Sequence, residues 1–342
     1  MDGCKTDQRI GALSKREFRH ATGSRKHRKS RVALHSIERR VECRMRKQNF
    51  FFILLSFLSL FGLREVGLAV PFTDELGRKV MVVHPPQRII SIAPSVTEIL
   101  FALNLGERIV GVSSYCNYPP EAKQKERVGG YINPSMEKIV ALHPDLVIQT
   151  ADGDLKTFVD RLTSLGIPIY ITNPRSVNEV MDSILKIGAV TFTTKGAENL
   201  VGSMREKIQD IQRRVQGQPQ PRVLHAMSVD PLISSGKGTF VHDLILLAGG
   251  RNVAENARGK HPQLSMEEVI SRDPEVILLS AMLSSDSLQD QKKWWQRWRE
   301  ISAVRSERIY GVEADLILRP SPRIVKGLEE IARALHPELL KK

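Results

Sequence analysis

"MEKIVALHPDLVI" spans Met136–Ile148, and "MEEVISRDPEVIL" spans Met266–Leu278. Each copy reads as one unit. Ser135 or Ser265 precedes it as a candidate N-cap, and Glu137 or Glu267 falls at the second helical position, where a carboxylate complements the helix dipole. Pro144 or Pro274 cannot continue the helix and marks a corner. An apolar run, "DLVI" or "EVIL", then predicts a buried strand. One helix–corner–strand unit is common in α/β proteins. Two copies about 130 residues apart predict a pseudo-symmetric molecule of two lobes.

The order of elements around each copy agrees. "FTDELGRKVMVVH" reads as an opening hairpin closed by Pro85-Pro86. "RIISIA" is an apolar strand, and "SVTEILFALNLG" has helical spacing with Gly106 as its terminating residue. "RIVGVS", "DLVIQT" and "IPIYIT" supply further strands, with a helix over 157–165 before the last. The second half repeats the pattern with "RVLHAMS", the helix "TFVHDLILLAGG", "EVILLS", a Trp-bearing helix, "RIYGVE" and a final helix in "SPRIVKGLEEIARALHPEL". Strands alternating with helices predict parallel sheets. Between the halves, Leu200, Met204, Ile208, Ile211 and Val215 recur at helical spacing. They predict one long rigid connecting helix of about 24 residues, roughly 35 Å at 1.5 Å per residue, and a largely pre-formed ligand cleft between the lobes. The expected division is 70–190, 191–217 and 218–342.

The 342-residue chain carries a net charge of +13, which invites a nucleic-acid reading. Residues 1–69 hold 16 Lys+Arg against 6 Asp+Glu, whereas the rest holds 35 against 32. The basic excess therefore belongs to the N-terminal segment and gives no support to a nucleic-acid groove. Met45-Arg46-Lys47 followed by "FFFILLSFLSLFGL" and "GLA" reads as a signal peptide over 45–69. An uncleaved anchor is the alternative. Residues 1–44 read as a basic extension upstream of the true start, Met45. Cys4 and Cys43 fall before the predicted cleavage site, which leaves Cys116 with no disulfide partner; it reads as a packed small residue, with a lone thiol ligand as the alternative.

Neither H-E-x-x-H nor G-x-S-x-G occurs in the chain, and no cysteine pair suits zinc or redox chemistry. "SSGKGT" lacks the leading glycine and the Lys-Ser/Thr pair of a phosphate loop, and reads as the turn before a helix. Trp294, Trp295 and Trp298 look like a ligand stack, but their helical spacing favours one packed face plus an exposed ring. Arg319 and Arg323 would suit an anionic ligand. Glu137 and Glu267 carry two compatible readings, first-turn capping or a pair of lobe-tip carboxylates that dock a two-fold partner.

Taken together, "RIISIAPSVTEILFALNLGERIVGVSSYCNYPPEA", the two repeated stretches, "SSGKGTFVHDLILLAGGRN" and "RPSPRIVKGLEEIA" resemble the helical-hinge class of periplasmic solute-binding proteins over about residues 72–338. These serve ABC importers for cobalamin and ferric siderophores. "SSYCNYPP" and "DLILRPSPR" are similar to its cobalamin-binding members. The resemblance implies no catalysis and no cofactor. It implies a monomer in the periplasm, partnered by a permease dimer with its ATPase, whose arginines engage Glu137 and Glu267. The implied ligand is cobalamin or a related corrinoid, with a ferric siderophore or haem as the alternative. A chelatase-like periplasmic enzyme is the alternative of another class. Tyr115 matches a tyrosine that contacts the corrin, Asp315 and Arg319 match polar residues at the cleft edge, and Pro94 and Ser95 match the loop of the first lobe. Cobalamin-binding members place tryptophans where this chain has Tyr131, His261 and Leu316. Tyr131 and Leu316 would supply apolar wall, whereas His261 reads as a polar edge residue or a metal ligand.

Overall fold

The computed structural model describes residues 70–151, 155–280 and 288–339. All of them lie in one compact unit, Gly67–Lys342. The signal-peptide and extension readings, with Cys4 and Cys43, lie outside the described residues.

Val70–Thr73 (β1) and Lys79–Val82 (β2) form the opening hairpin. Ile89–Ser91 (β3), Ile109–Val112 (β4), Glu126–Arg127 (β5), Leu146–Thr150 (β6) and Ile169–Thr172 (β7) build a parallel sheet in the order β5-β4-β3-β6-β7. The second sheet contains Arg222–Val229 (β8), Leu232–Ser234 (β9), Arg251–Asn252 (β10), Val276–Leu279 (β11) and Ile309–Gly311 (β12). Its order is β10-β8-β11-β12, all parallel, with β9 antiparallel against β8. In each sheet the first strand lies inside, so the chain leaves it in both directions. Such a reversal opens a crevice at the carboxyl ends of the strands.

The helices of the first half are Pro94–Ala102 (α1), Met136–Ala141 (α2), Leu155–Ser164 (α3) and Val177–Val190 (α4). Thr194–Val215 (α5) connects the halves. The second half adds Phe240–Leu247 (α6), Met266–Arg272 (α7), Leu288–Trp295 (α8), Ser302–Arg305 (α9), Ala314–Ile317 (α10) and Ile324–Leu335 (α11). At 22 residues, α5 is about 33 Å long. It does not act alone. α4 precedes it, and the two pack closely enough that a Cβ at Gly188 would overlap the Ala197 methyl. Sequence periodicity had not singled out α4, although "SVNE" carries its start signal: the Ser176 hydroxyl accepts from Glu179 N at 3.2 Å.

The repeated stretch has a shared physical basis. α2 and α7 are each followed by a residue in the left-handed region, His143 (φ 44°) and Asp273 (φ 40°). The following acid then grips the first strand of its own sheet. Asp145 accepts from the Gln87 and Arg88 amides at 2.7 and 2.9 Å, and Glu275 accepts from the Arg222 amide at 2.9 Å. The arginine at that strand's start reaches back: Arg88 Nη2 donates to Leu142 O at 2.8 Å, and Arg222 Nε to Asp273 O at 2.7 Å. Helix end, corner and central strand are thus stapled in the same way in both lobes.

Two smaller expectations change. α1 ends at Ala102, and the left-handed residue after it is Asn104 (φ 59°), so Gly106 instead opens a 3-10 turn. Trp295 is fully buried while Trp294 and Trp298 are half-buried, so none of the three rings is fully exposed. The rings pack on one another at 5.0 and 6.0 Å. Cys116 is buried as expected, its sulfur 3.1 Å from the Thr97 hydroxyl.

Candidate functional site

The carboxyl ends of both sheets open into one cavity of about 580 Å³, a size typical of small-molecule sites. The first lobe contributes one residue group per strand, in sheet order. Tyr131 follows β5, Tyr115 follows β4, Pro94 and Ser95 follow β3, Thr150 ends β6, and Pro174 and Arg175 follow β7. The second lobe contributes Met227 from β8, Ser235 after β9, the turn Gly238–Val241 leading into α6, Lys260 and His261, and Asp315, Leu318 and Arg319 beyond β12.

The aromatic wall lies at the β4–β5 end. Tyr115 and Tyr131 meet edge to face at 5.6 Å, and Tyr115 stays 58% exposed. A ring this exposed at a cavity mouth offers an apolar face and a phenolic hydrogen-bonding group. Phe240, half-buried at the start of α6, adds wall from the other lobe. Leu316 does not. It is 4% exposed in the core, packed where α10 meets α11, because its helix turns that side inward. Leu318, two residues on, lines the cavity instead.

Arg319 reaches the cavity but is heavily engaged. Its Nη1 donates to Asn117 Oδ1 at 2.7 Å and to Glu98 Oε1 at 3.1 Å, and its Nη2 pairs with Asp315 at 2.9 Å. Glu98, from the middle of α1, is 3% exposed. It also takes both arms of Arg323, at 2.8 and 2.7 Å, and the Ser321 hydroxyl at 2.6 Å. Arg323 in turn lies 3.9 Å over the Tyr118 ring. This latch joins the two lobes through one buried carboxylate, with every lone pair accounted for. A lone acid inside the apolar helix "SVTEILFAL" was its sequence signal. A second hollow, about 630 Å³, lies on the helical side of the latch, away from the strand ends.

His261 sits on a segment zipped to the β9 region by Ser234 N–Pro262 O (2.9 Å) and Gly236 N–Lys260 O (2.7 Å) bonds. Partial burial, reinforced by the Lys260 charge, pushes its pKa below the usual histidine value, so the ring is neutral at pH 7. Beneath it, His225 is fully buried in β8. Both its nitrogens meet serine hydroxyls at 2.9 Å, Ser235 through Nδ1 and Ser280 through Nε2. Burial, aided by neighbouring His261, lowers its pKa to about 3. A histidine inside the apolar strand "RVLHAMS" was the visible clue to this network. Among the described residues no group of three or more His, Cys, Asp or Glu could hold a metal ion.

Glu137 and Glu267 are exposed on α2 and α7, and neither pairs with a described residue. Ser135 and Ser265 cap these helices through the Lys138 and Glu268 amides. In α7 it is Glu268, not Glu267, that completes a capping box. Capping therefore leaves both second-position carboxylates available.

A profile of the periplasmic binding protein family matches residues 89–316. The vitamin B12-binding protein of Vibrio cholerae serotype O1 is 30% identical over 252 residues, covering 73% of this chain and 90% of that protein. The crystal structure of the periplasmic vitamin B12-binding protein BtuF of Vibrio cholerae aligns with a TM-score of 0.64 at 30% identity, over 74% of this chain and 98% of that one. The apo periplasmic heme-binding protein RhuT from Roseiflexus sp. RS-1 aligns with a TM-score of 0.66 at 27% identity, over 73% and 98%.

Proposed function

The chain belongs to the periplasmic binding protein family, and from that premise we propose that it captures cobalamin or a related corrinoid in the cavity between its lobes and delivers it to the permease dimer of an ABC importer. The reading is of an exported, monomeric binding protein, with lobes at 70–190 and 218–342 and a connector at 191–217. The transport work belongs to the partner ATPase, and this chain binds without catalysing.

One observation carries the proposal. The cavity joins an aromatic wall, Tyr115 and Tyr131, to polar groups from the opposite lobe. A corrin is a broad apolar ring rimmed by amides, and it needs both kinds of surface. The 30% identity to a vitamin B12-binding protein supports the same ligand. In this reading Pro94 and Ser95 form the floor, and Asp315 and Arg319 the polar edge. Glu137 and Glu267 are the docking carboxylates, one per lobe. The second reading, haem or a ferric siderophore, is favoured by the likeness to RhuT and by neutral His261 on the cavity wall.

Calorimetric titration of residues 70–342 with cyanocobalamin, haem and a ferric catecholate tests the proposal. Cyanocobalamin is expected to bind most tightly, and Tyr115→Ala to weaken it about ten- to a hundredfold, the loss typical of an aromatic anchor. Tighter binding of haem or the catecholate would overturn the corrinoid reading in favour of the second.

A further inference from the structure

The two ends of the cavity differ in charge. At the β4–β12 end, Arg319 and Arg323 are consumed by Glu98, Asp315 and Glu313. At the other end stand Arg175, after β7, and Lys260, from the second lobe. Both are exposed, and neither the guanidinium nor the ammonium has an ion-pair or hydrogen-bond partner among the described residues. The carboxylate nearest in sequence, Glu179, accepts from the Arg175 amide at 2.6 Å, while the Glu179 amide donates to the Ser176 hydroxyl at 3.2 Å.

Two contacts set the segments that carry these cations beside the start of α6. The Val177 amide donates to Asp243 Oδ2 at 3.2 Å, which holds the segment around Arg175 against the first turn of α6. The turn entering α6 lies beside Lys260: a Cβ at Gly238 would sit 3.7 Å from Lys260 Cε. The α6 end of the cavity is therefore flanked by one cation from each lobe. Two unpaired cations at the rim of a low-dielectric cavity attract negative charge, and the planar guanidinium suits a phosphate or carboxylate.

We propose that Arg175 and Lys260 form an anion subsite at the α6 end of the cavity, which takes a phosphate or carboxylate carried on the periphery of a macrocyclic ligand. This rests on the cavity being the ligand site and specifies the ligand class further. The anion has two sources, the phosphodiester of a corrinoid's nucleotide loop or the carboxylates of a haem.

The test compares wild type with Arg175→Gln, Lys260→Gln and the double variant by calorimetry. The ligands are cobalamin, cobinamide (which lacks the nucleotide loop and its phosphate), haem and haem dimethyl ester. The double variant is expected to lose about ten- to a hundredfold in cobalamin affinity, the range for charge-assisted hydrogen bonds, while binding cobinamide as wild type does. Arg175→Lys and Lys260→Arg should retain most of the affinity. Unchanged cobalamin binding, or equal loss for cobinamide, would overturn the proposal. If haem binds and cobalamin does not, the corrinoid reading falls while the subsite is judged separately: a loss confined to the diacid supports it, and an equal loss or none for the diester refutes it. If neither macrocycle binds wild type, thermal stabilisation by pyrophosphate decides. A shift in wild type that vanishes in the double variant upholds the subsite, and no shift in wild type overturns it.

Discussion

Glu98 on α1 and Asp243 on α6 occupy equivalent places in the two lobes. "SVTEILFALN" aligns with "FVHDLILLAG", so that Glu98 meets Asp243 and left-handed Asn104 meets left-handed Gly249. Both acids reach across the lobe interface, yet they do different things. Glu98 is buried and binds two guanidinium groups and a hydroxyl. Asp243 accepts one backbone amide, from Val177, and burial raises its pKa above the usual carboxylate value. One end of the interface is an ionic latch. The other is lightly held and leaves Arg175 and Lys260 uncommitted. Pseudo-symmetry repeats the scaffold and places acids at matched positions, while the partners each acid meets decide what it does.

The comparison of equivalent positions can be tested most severely at the lobe tips. Changing Glu137 and Glu267 together to alanine should abolish ligand uptake by cells while leaving the affinity of the purified protein unchanged. A transport assay beside calorimetry reads both, and undiminished uptake would remove the docking role. Next comes the latch. Glu98→Ala removes the shared buried carboxylate from two partly buried arginines, leaving Arg319 with Asp315 and Arg323 with Glu313, and should cost about 3 kcal/mol in denaturant unfolding; a loss below about 1 kcal/mol would make the latch ornamental.

The third test concerns His225, whose equivalent in the first lobe is Ser91, a residue that does not titrate. Its folded pKa of about 3 lies below the unfolded value near 6.5. The unfolded chain therefore takes up a proton that the folded chain refuses. Its contribution to stability is complete above pH 6.5 and is lost at up to about 1.4 kcal/mol per pH unit as the pH falls toward 3. His225→Gln should flatten that part of the stability–pH curve. The smallest effect is expected at Asp243→Asn. The raised pKa means that the folded state disfavours the charged form, so its contribution declines as pH rises above the usual carboxylate range. The amide oxygen still accepts from Val177, and the change at pH 7 should stay within about 1 kcal/mol, neutral or stabilising. A loss as large as that at Glu98 would erase the distinction between the two ends.

Much of the scaffold was legible because periodicity and corner residues are local properties. The two repeated stretches, the strands around them and the long α5 all follow from spacing within about 20 residues. α4 was overlooked although its cap and apolar stripe were present, and β5 was not readable because two residues, Glu126 and Arg127, carry no period. At the site, Pro94, Ser95, Tyr115, Tyr131, His261, Asp315 and Arg319 line the cavity, whereas Leu316 turned inward with its helix. Arg175 and Lys260 were missed because an exposed cation in a loop looks like any solvated charge until the fold sets it at a cavity rim.

By itself the sequence determined the parallel α/β class, the doubling of the lobes and the connecting helix, since hydrophobic period, proline corners and serine caps act between near neighbours. Only the tertiary structure decided which charges are spent and which remain. Glu98 and Arg323 lie 225 residues apart along the chain, and no local pattern reveals that folding neutralises one end of the cavity and leaves the other cationic.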